Sequence, residues 1–131
     1  MGNSPATVAE ARVQLRRLMT GLCGVVRTGE GLERALRELT ALEGSLAPLA
    51  FDPMEVELGN LLTVARLMVL SARRRTESRG VHLRTDHPQR DDERWRRHVT
   101  VRRDGETGRP IVSEESAVDE DGASPSGRRT A

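Results

Sequence analysis

Lysine is missing altogether from this chain of 131 residues: all 21 basic side chains are arginine, set against 20 acidic ones for a net charge of +1. Without a lysine amine there is no Schiff base to pyridoxal phosphate or a carbonyl substrate, and no Walker A lysine for nucleotide phosphates. Tyrosine is absent as well, and one phenylalanine and one tryptophan are too few rings for a base-stacking platform. The lone Cys23 permits neither an internal disulfide nor a CxxC metal or redox motif, which suits a reducing compartment. No stretch reaches the roughly 18–20 apolar residues of a membrane span, and Met1-Gly2-Asn3-Ser4-Pro5 lacks the basic and then apolar order of a signal peptide. The expectation is a cytoplasmic chain of one domain at most.

What is present is unevenly shared. Residues 1–80 hold 36 of the 47 apolar residues and residues 81–131 hold 11, so a core can form in the first part and hardly in the second. Val8, Ala11, Leu15, Leu18, Met19 and Leu22 follow the 3-and-4 spacing of one helical face. Thr7 and Glu10 have the spacing of a capping box, and Gly24 offers a left-handed stop. A second stripe, Leu32, Leu36, Leu39, Leu42, Leu46 and Leu49, follows the N-cap candidate Thr28 and ends near Pro48. Glu30 with Arg34 and Glu33 with Arg37 are i,i+4 pairs in the favourable order on its outer side. Asp52-Pro53 opens a third segment with a cap and a proline at the first helical position. From Met54 to Ala72 its apolar residues cover most of the circumference, the pattern of a helix buried on all sides. Arg73-Arg74-Arg75 close it, where positive charge meets the negative end of the helix dipole.

Beyond Gly80 the period shifts to two, with Val81, Leu83 and Thr85 alternating with His82, Arg84 and Asp86 until Pro88. Arginines and acids then surround Trp95. Val99-Thr100-Val101 and Pro110-Ile111-Val112 flank a turn-rich run, Asp104 to Gly108, and read as a two-stranded hairpin. The expected fold is mainly α: a three-helix up-down-up bundle, a polar extended segment, a small β-hairpin and a disordered C-terminal tail. The boundaries are a disordered 1–6, the bundle with its exit segment at 7–88, the tryptophan segment and hairpin at 89–112, and the tail at 113–131.

Chemistry is sparse. His82, Asp86, His87 and His98 with Asp91 or Asp92 are the metal candidates, but two histidines five apart on an extended segment face opposite ways and no third ligand falls at a familiar spacing. Ser78 and Cys23 lie on no nucleophile elbow. There is no GxGxxG run, and Gly21, Gly24, Gly29 and Gly31 sit at helix ends. The arginine groups 73–75, 94–97 and 102–103 are interleaved with acids, short of the basic footprint of a nucleic-acid binder. No catalytic residue, cofactor-binding residue or metal ligand is therefore assigned. The densest polar run, Arg75 to Pro88, leaves two readings open: an exit loop that folds back onto its own helices, or a docking edge for another domain.

The run Glu57-Leu58-Gly59-Asn60-Leu61-Leu62-Thr63-Val64-Ala65-Arg66 is followed by Arg75-x-Glu77-Ser78-Arg79-Gly80-x-His82-x-Arg84-x-Asp86-x-Pro88 and by Arg90-Asp91-Asp92-x-x-Trp95-x-x-His98. Together they resemble the C-terminal helical domain of the succinate dehydrogenase, fumarate reductase and L-aspartate oxidase flavoproteins. Gly24-Val25-Val26-Arg27-Thr28 and Leu32-Glu33-x-Ala35-Leu36 match the same domain, and the likeness covers about residues 8–112. The short join before the third helix and the run from Asn60 to Arg66 look closest to L-aspartate oxidase. Met19-Thr20, where an aromatic often follows the methionine, and Gly59, in place of a common arginine, depart from the pattern.

The resemblance implies a detached or truncated C-terminal domain, with no cofactor of its own, of an FAD enzyme that oxidises L-aspartate to iminoaspartate for NAD biosynthesis. Its partners would be the FAD-binding and capping domains, in cis or in trans, which in that family carry flavin and catalytic residues. On that basis Arg75, Glu77, Ser78, Arg79, His82, Arg84, Asp86, Arg90, Asp91, Asp92, Trp95 and His98 are the candidate docking residues. An independent helical interaction module, and the equivalent domain of a succinate dehydrogenase or fumarate reductase subunit, are the alternatives.

Overall fold

The computed structural model describes residues 7–46 and 52–116. Its first helix, α1 (Val8–Leu22), starts at a closed capping box: the Thr7 hydroxyl accepts from the Glu10 N–H and the Glu10 carboxylate accepts from the Thr7 N–H, both at 3.2 Å. After the two-residue strand β1 (Val26–Arg27), α2 (Gly29–Ser45) opens with the Thr28 hydroxyl accepting from the Gly31 N–H at 2.9 Å. At the head of α3 (Pro53–Arg74) the Asp52 carboxylate accepts from the Met54 N–H at 2.8 Å. Each cap satisfies a backbone donor that the helix itself leaves free.

Three ion pairs set the helix directions. Arg73 reaches Glu33 at 2.7 Å and Arg66 reaches Glu43 at 2.6 Å, so α3 runs against α2, while Arg12 to Glu57 at 2.9 Å sets α3 alongside α1. The bundle is thus up-down-up. Ala11, Leu15 and Leu18 of α1, Leu32, Ala35, Leu39 and Leu42 of α2, and Leu58, Leu62, Ala65, Val69 and Ala72 of α3 meet in its core. On the outer side of α2 the expected pairs give way to others: Glu33 turns to Arg73, and Arg34 pairs with Glu38 at 2.6 Å. Glu33 thus pairs across the helix seam, while Arg34 keeps an i,i+4 partner on its own helix.

Two expectations about the helices need correction. Gly24 takes no left-handed conformation; the only positive-φ residues among those described are Gly80 and Gly108, and α1 ends at a Cys23 C-cap. Nor is α3 buried on all sides, since Val56, Val64 and Met68 stay 47, 53 and 48% exposed. Both other helices lie on one side of α3, so half of its apolar circumference has no helix against it.

After α3 the chain turns back across the end of the bundle. Strand β2 (Leu83–Arg84) pairs in parallel with β1, Val26 opposite Leu83 and Arg27 opposite Arg84. A two-residue strand is too short for hydrophobic periodicity to reveal, and β1 was not expected. Asp91 caps the single turn α4 (Asp92–Trp95), and β3 (Arg97–Arg103) then pairs antiparallel with β4 (Pro110–Ser116). The hairpin reaches four residues past 112, where the tail was expected to start. Its ladder continues through Thr100 opposite Ser113, their hydroxyls 2.9 Å apart, and Glu114 forms an ion pair with Arg74 of α3. A hairpin alone is marginal in water; this one leans on α3. The expected disorder of 1–6 and of 117–131, and the end of the second stripe at Pro48 and Leu49, lie outside the described residues.

The fully buried Leu39 and the half-exposed Val64 make a contrasting pair. Leu39→Ala is expected to lower stability by about 2–5 kcal/mol and Val64→Ala by no more than about 0.5 kcal/mol, both read by urea unfolding of the 131-residue chain. Equal effects would contradict the one-sided burial of α3.

Candidate functional site

The polar run after α3 is shaped by a tight turn. Arg79 and His82 exchange backbone hydrogen bonds at 2.8 and 3.0 Å around Gly80-Val81, and Gly80 sits at φ +57°, a conformation that an L side chain rarely adopts. The buried Ser78 hydroxyl accepts from the Arg84 N–H at 2.9 Å and donates to the His87 carbonyl at 2.8 Å. Backbone bonds from Leu83 to Val25 and from Thr85 to Arg27, at 3.1 and 3.0 Å, then fasten the run to the α1–α2 join.

This registration carries Arg84, only 3% exposed, between two helix ends. One of its terminal nitrogens donates to the carbonyls of Ala72, Arg73 and Arg75 at 3.3, 3.2 and 3.1 Å, the free acceptors at the C-terminus of α3. The Nε and the other terminal nitrogen bind the Asp86 carboxylate in a fork, both at 2.8 Å, and Asp86 in turn accepts from the Gly29 N–H at 3.0 Å. A cation therefore lies at the negative end of α3 and an anion at the positive start of α2, each favoured by the helix dipole. The Arg84 guanidinium, helped by the Gly29 N–H, holds the Asp86 carboxyl far below the usual carboxylate range. Gly29 lets the pair approach closely: a Cβ there would stand 2.8 Å from the Asp86 oxygen and 3.0 Å from the Arg84 nitrogen, so a larger residue would have to displace these side-chain ends.

A second knot centres on Glu77, 1% exposed. Its carboxylate accepts from Arg75 at 2.6 Å, from Arg79 at 2.7 and 3.2 Å and from the Asp91 N–H at 2.9 Å. Burial pushes its pKa up, but the bonds from Arg79, the Asp91 backbone and Arg75 outweigh that and hold it below the ordinary value. Arg75 continues to the carbonyls of Trp95 and Arg97 at 2.9 and 2.6 Å. The buried Trp95 lies under the guanidiniums of Arg75 and Arg94, 5.3 and 5.4 Å from the ring centre, and its indole N–H donates to the Thr76 hydroxyl at 3.0 Å. Farther out, Arg90 and Arg79 hold Asp92 down to about 2.

His82 bridges the two knots. Its Nδ1 lies 2.8 Å from an Arg27 nitrogen, which can only donate, and its Nε2 lies 3.1 Å from the Arg75 carbonyl, which can only accept. The ring is therefore the neutral Nε2–H tautomer. Burial lowers its pKa, the carbonyl partly offsets this, and the charges of Arg27, Arg84 and Arg75 lower it further.

Ten of the twelve sequence-derived candidates thus meet in one network, Arg90 joins it only through the exposed Asp92, and His98 stands apart on β3 opposite Glu115. The network faces inward. Glu77, Ser78, His82, Arg84 and Trp95 are buried, with their polar atoms bonded inside the chain: the segment folds back onto its own helices, the first of the two readings left open for the run, and pairs with backbone groups at the ends of α2 and α3. Arg27, Gly29 and Thr76 were missed as members. The run from Gly24 to Thr28 had marked the first, but only the folded chain sets it against His82. No base or nucleophile in the cluster is free: Glu77, Asp86 and Asp92 are ion-paired, the Asp91 carboxylate accepts from the Arg94 N–H, both His82 nitrogens are engaged, and the Ser78 proton is committed. Cys23 is buried, and burial raises its thiol pKa. Among the described residues no three metal-ligating side chains converge, and no helix is long and apolar enough to cross a membrane.

A family model described as fumarate reductase flavoprotein C-term matches residues 12–130. The chain belongs to that family. It is 42% identical over 108 residues to an L-aspartate oxidase of Streptomyces coelicolor, covering 75% of this chain and 18% of that protein. It is 32% identical over 115 residues to a fumarate reductase flavoprotein subunit of Mycobacterium tuberculosis, covering 80% and 20%. Its fold superposes on a solved E. coli quinol fumarate reductase chain with a TM-score of 0.74 at 25% identity, covering 96% of this chain and 23% of that one. The chain spans about a fifth of the length of the curated relatives it matches. In this chain the polar cluster ties the exit segment to the bundle.

Two predictions follow from the cluster's geometry. Arg84→Ala leaves three helix-end carbonyls without their donor and Asp86 without its cation and is expected to cost about 1–3 kcal/mol, whereas Arg90→Ala, at an exposed pair, stays within about 0.5 kcal/mol; denaturant unfolding distinguishes them. A histidine whose pKa is lower in the folded chain binds fewer protons there than in the unfolded one, so stability rises with pH through that window. The His82 contribution is complete above its ordinary value of 6.5 and declines as pH falls below it. Glu77 and Asp86 add a second decline below their ordinary values of 4.5 and 3.8. Melting temperatures of His82→Gln should lose the upper decline, which sets in below the ordinary histidine value of 6.5, and keep the lower one.

Proposed function

We propose that this chain is the C-terminal, non-catalytic domain of an L-aspartate oxidase-like flavoprotein, a cytoplasmic FAD enzyme that oxidises L-aspartate to iminoaspartate for NAD biosynthesis. Its task is to dock on and support the FAD-binding and capping parts of that enzyme, in cis or in trans. The observation that carries the reading is the 42% identity to L-aspartate oxidase, above the 32% to the fumarate reductase subunit. A polar cluster whose acids and histidine are all engaged internally supports the non-catalytic part, because flavin chemistry needs groups free to meet substrate. FAD would be held by the flavin-binding part of the enzyme. Arg90, Asp92 and His98, exposed at the margin of the cluster, remain candidates for contact with it.

The test is a graft in which this chain replaces the matched C-terminal stretch of the S. coelicolor L-aspartate oxidase. The graft is expected to hold flavin and form peroxide from aspartate, while the chain alone is colourless and inactive. A parallel graft into the M. tuberculosis fumarate reductase flavoprotein subunit separates the two branches: better retention of flavin and activity in that host would overturn the aspartate oxidase assignment.

A further inference from the structure

Resting on that reading, we propose that the groove between α3 and the hairpin, and not the polar cluster, seats the flavin-bearing part of the enzyme. The segment it receives is apolar and brings a carboxylate to Arg27. The groove, of about 520 Å³, is floored by Val64, Leu67 and Met68 of α3 and by Val99 and Val101 of β3. Val64 and Met68 are about half exposed, although α3 carries the all-round apolar pattern of a helix meant to be covered. The bundle covers one side and the hairpin a flank, so the uncovered stripe is the part of the pattern that this chain leaves unused. Large exposed apolar stripes of this kind mark protein interfaces.

Charge defines the occupant. Arg27, Arg75 and His82 close one end of the groove. Arg27 is fixed there by bonds to the Gly24 carbonyl at 2.6 Å and to neutral His82 at 2.8 Å, and has no carboxylate partner among the described residues. A half-buried, pre-oriented guanidinium of this kind is suited to a carboxylate from outside. At the other end a second hollow shares Leu67 and Val101 and leads to Arg102 and Arg103, with Arg66 there already paired to Glu43. A second copy would set arginine rim against arginine rim, which like charges disfavour. Residues 117–131 bring acids in Asp119-Glu120-Asp121 but only Ala117, Val118, Ala123 and Ala131 as apolar side chains, too few to fill the floor. The relatives, by contrast, have about four-fifths of their length beyond the matched stretch, and that part supplies the occupant.

The test compares Val64→Glu with Met68→Glu as a double variant, and Val13→Glu on α1 as a matched exposed control, in the L-aspartate oxidase graft and in the 131-residue chain. Circular dichroism and melting of the 131-residue chain should barely change, because all three sites are exposed. In the graft the double variant is expected to lose flavin-bound enzyme by about tenfold or more, since two carboxylates would be buried against apolar surface, while the control retains it. A working graft indifferent to the double variant, or equally damaged by the control, overturns the groove and leaves the functional reading standing. An inactive, flavin-free parent graft counts against the functional reading itself and takes this inference with it. Light scattering that finds a dimer of the 131-residue chain, made monomeric by the double variant, would assign the groove to a second copy. Deletion of 117–131 that destabilises the chain only when Val64 and Met68 are intact would assign it to the chain's own end. Either result overturns the proposal.

Discussion

A single buried guanidinium governs the architecture. Arg84 binds the last carbonyls of α3 and, through Asp86, the first N–H of α2. Two helix ends that would otherwise leave polar groups without partners are closed by one ion pair. The geometry draws on Gly29 at the contact, the parallel pairing of β1 with β2 to deliver Arg84, and the Ser78 and Gly80 turn to bring the chain back. The order of dependence therefore runs from helix termini to loop, not from loop to site. With Arg84 buried and Asp86 at the surface, the pair's main effect is to give the helix-end carbonyls a donor and so to specify where the exit segment lies.

The same arrangement divides the surface by chemistry. Polar side chains with the strongest mutual attraction are turned inward, under Trp95 and between the helix ends, and the outer face of α3 is left apolar. Such an inversion is expected in a domain that forms part of a larger protein: internal charges are satisfied by the chain itself, whereas the hydrophobic surplus awaits a partner. Membership of the flavoprotein C-terminal family, with matches covering about a fifth of each curated relative, agrees with that division.

Much of this was legible from residues alone. The three helices, their caps at Thr7, Thr28 and Asp52, the hairpin and the membership of the family all follow from local signals, because capping and amphipathic spacing act over three or four residues. Of the twelve candidate residues, seven lie in the dense polar run from Arg75 to Pro88 and five more came from the family resemblance, and ten of the twelve do meet. Their direction was not legible. Whether Glu77 or Arg84 faces out or in depends on which helix ends lie within reach, and nothing in their spacing records the positions of Ala72 or Gly29. Arg27 was hidden for the same reason: its partner His82 lies 55 residues away.

The composition of this chain determined by itself that it would be helical, capped, without lysine chemistry and short of core beyond residue 80, since those properties sum over local sequence. Tertiary structure alone decided that α3 is covered on one side only, that the polar run closes the bundle instead of facing outward, and that Val64, Met68 and Arg27 are left at the surface of one groove. Those outcomes depend on which elements meet across the fold, and contact between distant segments is set by packing geometry that no local pattern of residues contains.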